Sequence, residues 1–236
     1  MRKTHIQGIV ASVASATPTD VFSGGAGLFP FPASAVATTI VSGSANDAVA
    51  GTGAQTAMVY GLDANLNEIR ETVSLNGATP VNLVNQYLRV NRVEVLTAGS
   101  GLTNAGIISV KQSSTVIAAI AVGAGRSQMA VYTASNKFPG TALKKFYFAA
   151  TNQVAGGATF TVYTRKNGAI WQIRHVHSVY GTNCPTDAVD LYAPIFLDLG
   201  EDVRINVTVN ANATAVAAGF DVLEGSSSEM DQYTEV

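Results

Sequence analysis

From Thr38 onward, short runs of alternating apolar and polar residues are divided by Gly, Asn, Ser and Ala, the pattern of β-strands separated by turns. Gln55–Leu62 carries Met58, Tyr60 and Leu62 on one face. Glu68–Leu75 sends Ile69, Val73 and Leu75 one way and Glu68, Arg70, Thr72 and Ser74 the other, and Asn76-Gly77 follows as a turn. Between Tyr87 and Leu96 the apolar parity changes, from Leu88 and Val90 to Val93 and Val95. A parity change of one residue predicts a β-bulge near Asn91-Arg92. Further strands are predicted over 107–111, 115–122, 127–134, 142–150, 158–165, 169–180, 194–199, 203–210 and 215–223.

Two of these can be argued in detail. Asn167-Gly168 suits a two-residue hairpin turn, because both positions tolerate positive φ. Counting outward pairs Thr164 with Trp171, Val162 with Ile173 and Phe160 with His175, which sets Trp171 and Ile173 on a core-like face. Val203, Ile205, Val207 and Val209 alternate with Arg204, Asn206, Thr208 and Asn210, as in a half-buried antiparallel strand. Ser114–Val122 is apolar on both faces and fits a central strand or a short buried helix; its β-branched residues favour the strand.

The pattern predicts an all-β chain of antiparallel β-sandwich or jelly-roll type. Residues 1–37 hold Pro18, Pro30, Pro32 and the Gly24–Gly27 run, which reads as an extended N-terminal arm. Phe22, Leu28, Phe29 and Phe31 within it are the residues expected to dock on a partner. Residues 38–106 are expected to form a first sandwich module, 107–225 a second, jelly-roll-like one, and 226–236 an acidic C-terminal tail. No sharp linker marks the division near 104–112, so one larger sandwich stays an alternative.

Composition alters this picture chiefly at the surface. Charged residues make up 13% of the 236, about half the usual share, while 47% are hydrophobic. Ser, Thr, Asn, Ala and Gly must therefore cover the exterior, and a surface without ions is easily desolvated against other protein. Fourteen basic against sixteen acidic residues, with the basic ones scattered, give no electrostatic footprint for nucleic acid. Nothing approaches the ~20 apolar residues of a membrane-spanning helix. The opening Met1-Arg2-Lys3 and the stretch Ile9–Ala16 resemble a signal peptide poorly, because His5, Gln7 and Gly8 interrupt the apolar region.

Candidate chemistry is sparse. His175 and His177 stand two apart on a strand and share a face, the spacing of two metal ligands, but a third ligand is not evident and core-edge histidines are the simpler reading. Asp187, Asp190, Asp198, Glu201 and Asp202 form the densest acidic region; oxygen ligands for calcium or a turn between strands are the two readings. Cys184, the single cysteine, excludes an internal disulfide, and no nucleophile signature surrounds it. The glycine-rich pieces match no phosphate loop. Asn206-Val207-Thr208 matches a glycosylation acceptor but lies inside a predicted strand. No catalytic residue or cofactor is expected.

Longer phrases carry a resemblance. Ile40–Asp47 leads through Gly51-Thr52-Gly53-Ala54 into Val59–Asn65 and Glu68–Gly77, followed by Tyr87–Arg92 and Ala98–Gly106. With Tyr163-Thr164-Arg165, Ile173-Arg174-His175, Pro194-Ile195 and Ala217–Asp221, the chain resembles β-rich virion structural proteins of tailed bacteriophages, particularly aquatic ones. The resemblance spans residues 38–223 and supplies no active-site residues. It implies a virion location, as capsid decoration or cement, head fibre, or a tail, collar or baseplate subunit. The implied partners are the major capsid protein or tail components, and further copies of the chain, for example in a trimer. A carbohydrate-binding sandwich with Trp171, Tyr163, Tyr180 and Tyr192 as stacking residues is the reading from another class.

Overall fold

The computed structural model describes residues 1–24, 27–151, 156–166, 168–181, 186–210, 214–226 and 229–230. The chain opens on β1 (Arg2–Val13) and β2 (Thr19–Asp20). It continues through β3 (Thr39–Ser42), β4 (Ala54–Leu62), β5 (Glu68–Ser74), β6 (Val81–Asn82), β7 (Arg89–Ala98), β8 (Ile108–Gln112) and β9 (Thr115–Ile120). It closes with β10 (Val131–Thr133), β11 (Gly140–Thr151), β12 (Gly156–Arg165), β13 (Gln172–Gly181), β14 (Thr186–Leu197), β15 (Asp202–Val209) and β16 (Thr214–Gly225). The fold is all-β and its ladders are antiparallel, as the alternation predicts. Two compact units form: one takes in Met1–Phe22 and Ala130–Val236, the other Phe29–Met129.

The first unit is a jelly roll, which follows from its ladders. β1 pairs with β16, β10 with β15, β11 with β14, and β12 with β13. These pairs nest, the first strand with the last and so inward to a hairpin, as in one long antiparallel ribbon. The ribbon is rolled so that β16 also pairs with β11, and β15 with β12. Two sheets result, β1-β16-β11-β14 and β10-β15-β12-β13, with β2 lying beside β15. Val10, Phe146, Phe148, Phe220 and Val222 from one sheet and Phe160, Val162, Ile205 and Val207 from the other fill a common core. Alternation in β15 delivers Val203, Ile205, Val207 and Val209 to that core.

This topology corrects the expected arm and module boundaries. Arg2–Val13 is not an arm; it is the first strand of the roll, paired along its length with a strand more than 200 residues away. Gly8 permits this, since a Cβ there would meet the Val21 carbonyl oxygen at 2.0 Å. The other unit is an insertion between the first and second strands of the roll. A boundary at 106/107 would also cut a sheet, because β8 hydrogen-bonds to β3. Of the presumed docking residues, Phe22 is buried in the first unit, Phe29 and Phe31 are buried in the second with their rings 4.7 Å apart, and Leu28 alone is exposed. Phe22, Phe29 and Phe31 are thus core residues, unavailable to a partner.

The inserted unit has two sheets, β6-β3-β8-β9 and β5-β4-β7. The predicted bulge forms: Tyr60 faces Arg92 and Gly61 faces Val90, leaving Asn91 as the extra residue. Ser114–Val122 resolves as the strand β9, with Ile117–Ile120 buried on both faces. Its loops converge on Asp47, a fully buried carboxylate. Oδ1 accepts the amides of Ala54 at 2.7 Å and Ala105 at 2.8 Å; Oδ2 accepts the Ser42 hydroxyl at 2.6 Å and the Gly106 amide at 2.8 Å. Burial pushes this carboxyl up, but the Ser42 hydroxyl and the three amides outweigh it and hold it below the ordinary range. Asn104 acts similarly, donating to the carbonyls of Gly106 and Ala121 and accepting the Gly125 amide. The small-residue phrases around 42–54 and 98–106 therefore build a loop junction inside this unit.

Candidate functional site

The jelly roll presents three places where polar or aromatic groups gather. The first is the edge between β13 and β14. Asn167 of the predicted turn lies outside the described residues; the Ala169 amide bonds to the Lys166 carbonyl at 2.9 Å, and strand pairing starts later than a two-residue loop predicts. Thr164 faces Gln172, a bulge follows at Arg174, and Val162 faces His175 while Phe160 faces His177. The expected register is thus displaced, and a shift of one residue exchanges the two faces of a strand. His175 and His177 turn inward and stack, ring centroids 6.0 Å apart, with the Phe148 ring 4.9 Å from His177. Ile173 turns out to solvent. His177 Nε2 pairs with Asp187 at 2.9 Å across the two sheets, while His175 Nε2 is buried without a hydrogen-bond partner. Burial, with the neighbouring His177, pushes His175 below the ordinary imidazole range.

Among the described residues, the acidic region does not assemble a cation site. Each carboxylate takes its own nitrogen partner: Asp187 the His177 imidazole, Asp190 Lys145, Asp198 Lys166, Glu201 Arg174 and Asp202 Arg165. Among the described residues no group of three or more His, Cys, Asp or Glu side chains can hold a metal ion. Asp198–Asp202 is the expected turn, closed by the Glu201 amide on the Asp198 carbonyl. Cys184 lies outside the described residues.

The second gathering lies on the outer face of the β1-β16-β11-β14 sheet, at residues that no local motif connects. Asp221, fully enclosed, receives Lys3 Nζ at 2.9 Å, His5 Nδ1 at 2.8 Å and the Tyr147 hydroxyl at 2.9 Å. Burial pushes Asp221 up, but these three donors outweigh it and hold the carboxyl below its usual range. Tyr147 is pushed up by burial and by its bond to that carboxylate. Beside them is an open depression of about 660 Å³ lined by His5, Gln7, Tyr147, Ala149, Thr186 and Ala217, among others. Its imidazole is fixed by the Asp221 carboxylate, and the cluster joins β1 to β16 and β11.

The third covers the outer face of the other sheet. Trp171 faces outward with Tyr163 edge-on at 6.5 Å, and the guanidiniums of Arg165 and Arg204 lie 4.4 and 4.2 Å from its ring centroid. Arg204 is anchored by buried Asp20 at 3.1 Å and Arg165 by buried Asp202 at 2.9 Å. Trp171 is therefore not the core residue the two-residue hairpin implies. Asn206, of the glycosylation match, is buried and bonded to Asp20 at 2.9 Å.

No family model matches the sequence, and no curated protein matches it. Among solved structures, the chain is similar to that of infectious bursal disease virus Gx strain at 10% identity, covering 94% of this chain and 70% of the other, with a TM-score of 0.28. A VP2 subviral particle of the same virus gives 10% identity, 95% and 72% coverage and a TM-score of 0.25. A Bacillus thuringiensis Cry1Da tryptic core variant gives 8% identity, 88% and 52% coverage and a TM-score of 0.25. Likeness at this level does not extend to function.

Proposed function

We propose that this chain is a non-enzymatic structural protein of a virus particle, an oligomeric capsid decoration or cement protein of a tailed bacteriophage. The observation that carries the reading is the exposed apolar side chains of the two strands that end the sheets on one flank of the roll: Ile173, Val176 and Tyr180 on the outer face of β13, and Tyr192 and Phe196 on the outer face of β14 in the other sheet. Long apolar sheet edges invite pairing and persist where an assembly covers them. The scarcity of charge over the rest of the surface supports the same reading, since small neutral groups lose little on desolvation. The clusters around Asp221 and Trp171 read as rigid surface, each acid already matched to a base.

The purified chain should self-associate and bind capsids of its own virus. A monomer that binds no virion component refutes the proposal. A tail, collar or baseplate position is the neighbouring alternative, favoured if the chain binds purified tails and not capsids. Tyr180 and Tyr192, 75% and 84% exposed, support a carbohydrate-binding reading as well. Glycan-array binding lost in Tyr192→Ala would establish that one.

A further inference from the structure

The jelly roll has two flanks, and they are finished differently. On one, β1 carries Arg2, Lys3 and His5, each engaged with Glu224 or Asp221, and its ladder shifts register between Val10 and Val13. The neighbouring β10 has three residues only. Charge, irregularity and shortness are the means by which sheet edges are protected from pairing. The opposite flank, where β13 and β14 each end a sheet, lacks that protection on β13. Ile173 is 60% exposed and Val176 52%, and among described residues neither strand has a second strand neighbour.

The charges on this flank are sorted by strand. Between Gln172 and Gly181 the ionisable side chains are Arg174, His175, His177 and Tyr180, with no carboxylate. Between Thr186 and Leu197 the charged ones are Asp187 and Asp190, with no cation. Arg174 also reaches Glu201, His177 reaches Asp187, and Lys145 reaches Asp190 within the molecule. Arg174 is the permanent cation of β13: bringing β13 against β13 of a second copy offers it no carboxylate, while bringing it against β14 offers Asp187 and Asp190. Because β13 and β14 lie on the same flank, a two-fold axis along the strands makes both such contacts at once, each antiparallel. The surface is self-complementary in the manner of an isologous dimer.

We infer that a second copy of this chain docks on the β13–β14 flank, pairing each β13 with the β14 of the other copy. This rests on the reading of the chain as a self-associating protein and names the surface it uses. The β14 ladder breaks register between Asp190 and Ile195, so Thr186–Asp190 is the stretch that continues the sheet, with Tyr192 and Phe196 packing beside it.

The full chain, studied by sedimentation velocity over a concentration series, provides the test. Val176→Asp, which sets a new carboxylate beside Asp187 and Asp190 of the other copy, raises the dimer dissociation constant by about tenfold or more, since each change occurs twice across the axis. Ser12→Asp, at an exposed position of β1 on the opposite flank, leaves it unchanged, and circular dichroism verifies that both variants fold. In a Cys184→Ser background, Val176→Cys copies mixed with Thr186→Cys, Ala188→Cys or Asp190→Cys copies give a mixed disulfide on oxidation, while Val176→Cys alone gives none. A wild-type oligomer that Val176→Asp does not weaken, or Val176→Cys that crosslinks chiefly to itself, overturns this interface and leaves the assembly reading standing. A wild-type chain that stays monomeric and binds no particle overturns both.

Discussion

Replacing Asp47 tests whether the small-residue loops of the inserted unit are held by one carboxylate. Asp47→Ala removes the acceptor of three backbone amides, those of Ala54, Ala105 and Gly106, and of the Ser42 hydroxyl. Each buried donor left unsatisfied costs about 1–3 kcal/mol. Ser42 can turn its hydroxyl elsewhere and water can enter part of the gap, so the expected loss is about 4 kcal/mol, a large share of the ~5–15 kcal/mol that stabilises a domain. Asp47→Asn preserves the shape but presents an NH2 to at least one of those amides. One orphaned donor places its cost at about 2 kcal/mol. The order wild type, Asn, Ala is the signature of a hydrogen-bond junction.

Two assays read it: urea unfolding followed by far-ultraviolet circular dichroism, and hydrogen exchange of the Ala54, Ala105 and Gly106 amides. Exchange at those amides accelerates in both variants, more in Ala. The carboxyl is held below its ordinary 3.8, so its stabilisation is complete above that pH and is lost as pH falls below 3.8 through the folded-state value. Asp47→Ala flattens this acid limb. A loss under 1 kcal/mol in Asp47→Ala, with unchanged exchange at the three amides, refutes the reasoning.

Other perturbations follow from the jelly roll. His175 is pushed below 6.5 by burial and by His177, so the charged form is disfavoured in the fold and stability declines as pH falls below 6.5. His175→Phe removes a buried nitrogen without a partner and retains the stack on Phe148; it should be neutral or stabilising at pH 7 and flatten that decline in thermal melts. Glu224 joins Arg2 by two bonds at 2.7 and 2.9 Å and also accepts the Tyr132 hydroxyl at 2.9 Å. Glu224→Ala should cost about 1–3 kcal/mol, chiefly by leaving the Tyr132 hydroxyl without its acceptor while the partly exposed Arg2 turns to water, and speed amide exchange along β1 above other strands. Asp20→Ala frees Arg204 and Asn206, and the emission of Trp171, the sole tryptophan, should change as the guanidinium over its ring loses its anchor. Unaltered emission would place the ordering of Arg204 elsewhere.

Features set by neighbours in sequence were legible from it. Alternation located β4, β5, β15 and β16, and a parity change located the bulge at Asn91, because each is written within about ten residues. Features set by distant partners were not. β1 gains its place from β16, some 200 residues later, and as a sheet edge with outward His5 and Gln7 it shows little apolar face of its own. In the first half of β14 only Val189 packs toward the core, so Thr186–Asp190 lacks the alternation that marks a strand. The β13 register failed for a different reason: Trp171 leaves the expected face to meet Tyr163, Arg165 and Arg204, and Arg174 bulges. The Asp221 and Trp171 clusters join residues from strands far apart in sequence, and no local motif announces such a meeting. The phrases around Asp47 were visible as a resemblance, and their physical content, a shared carboxylate, emerged only with the loops in place.

The central claim, that this chain makes protein surfaces in a virus particle, is tested most directly by counting its copies in particles. Gradient-purified virions, washed in high salt and analysed by quantitative mass spectrometry against the major capsid protein, should contain it at a fixed ratio set by particle symmetry. Intact, extensively washed particles that lack the chain would contradict the account.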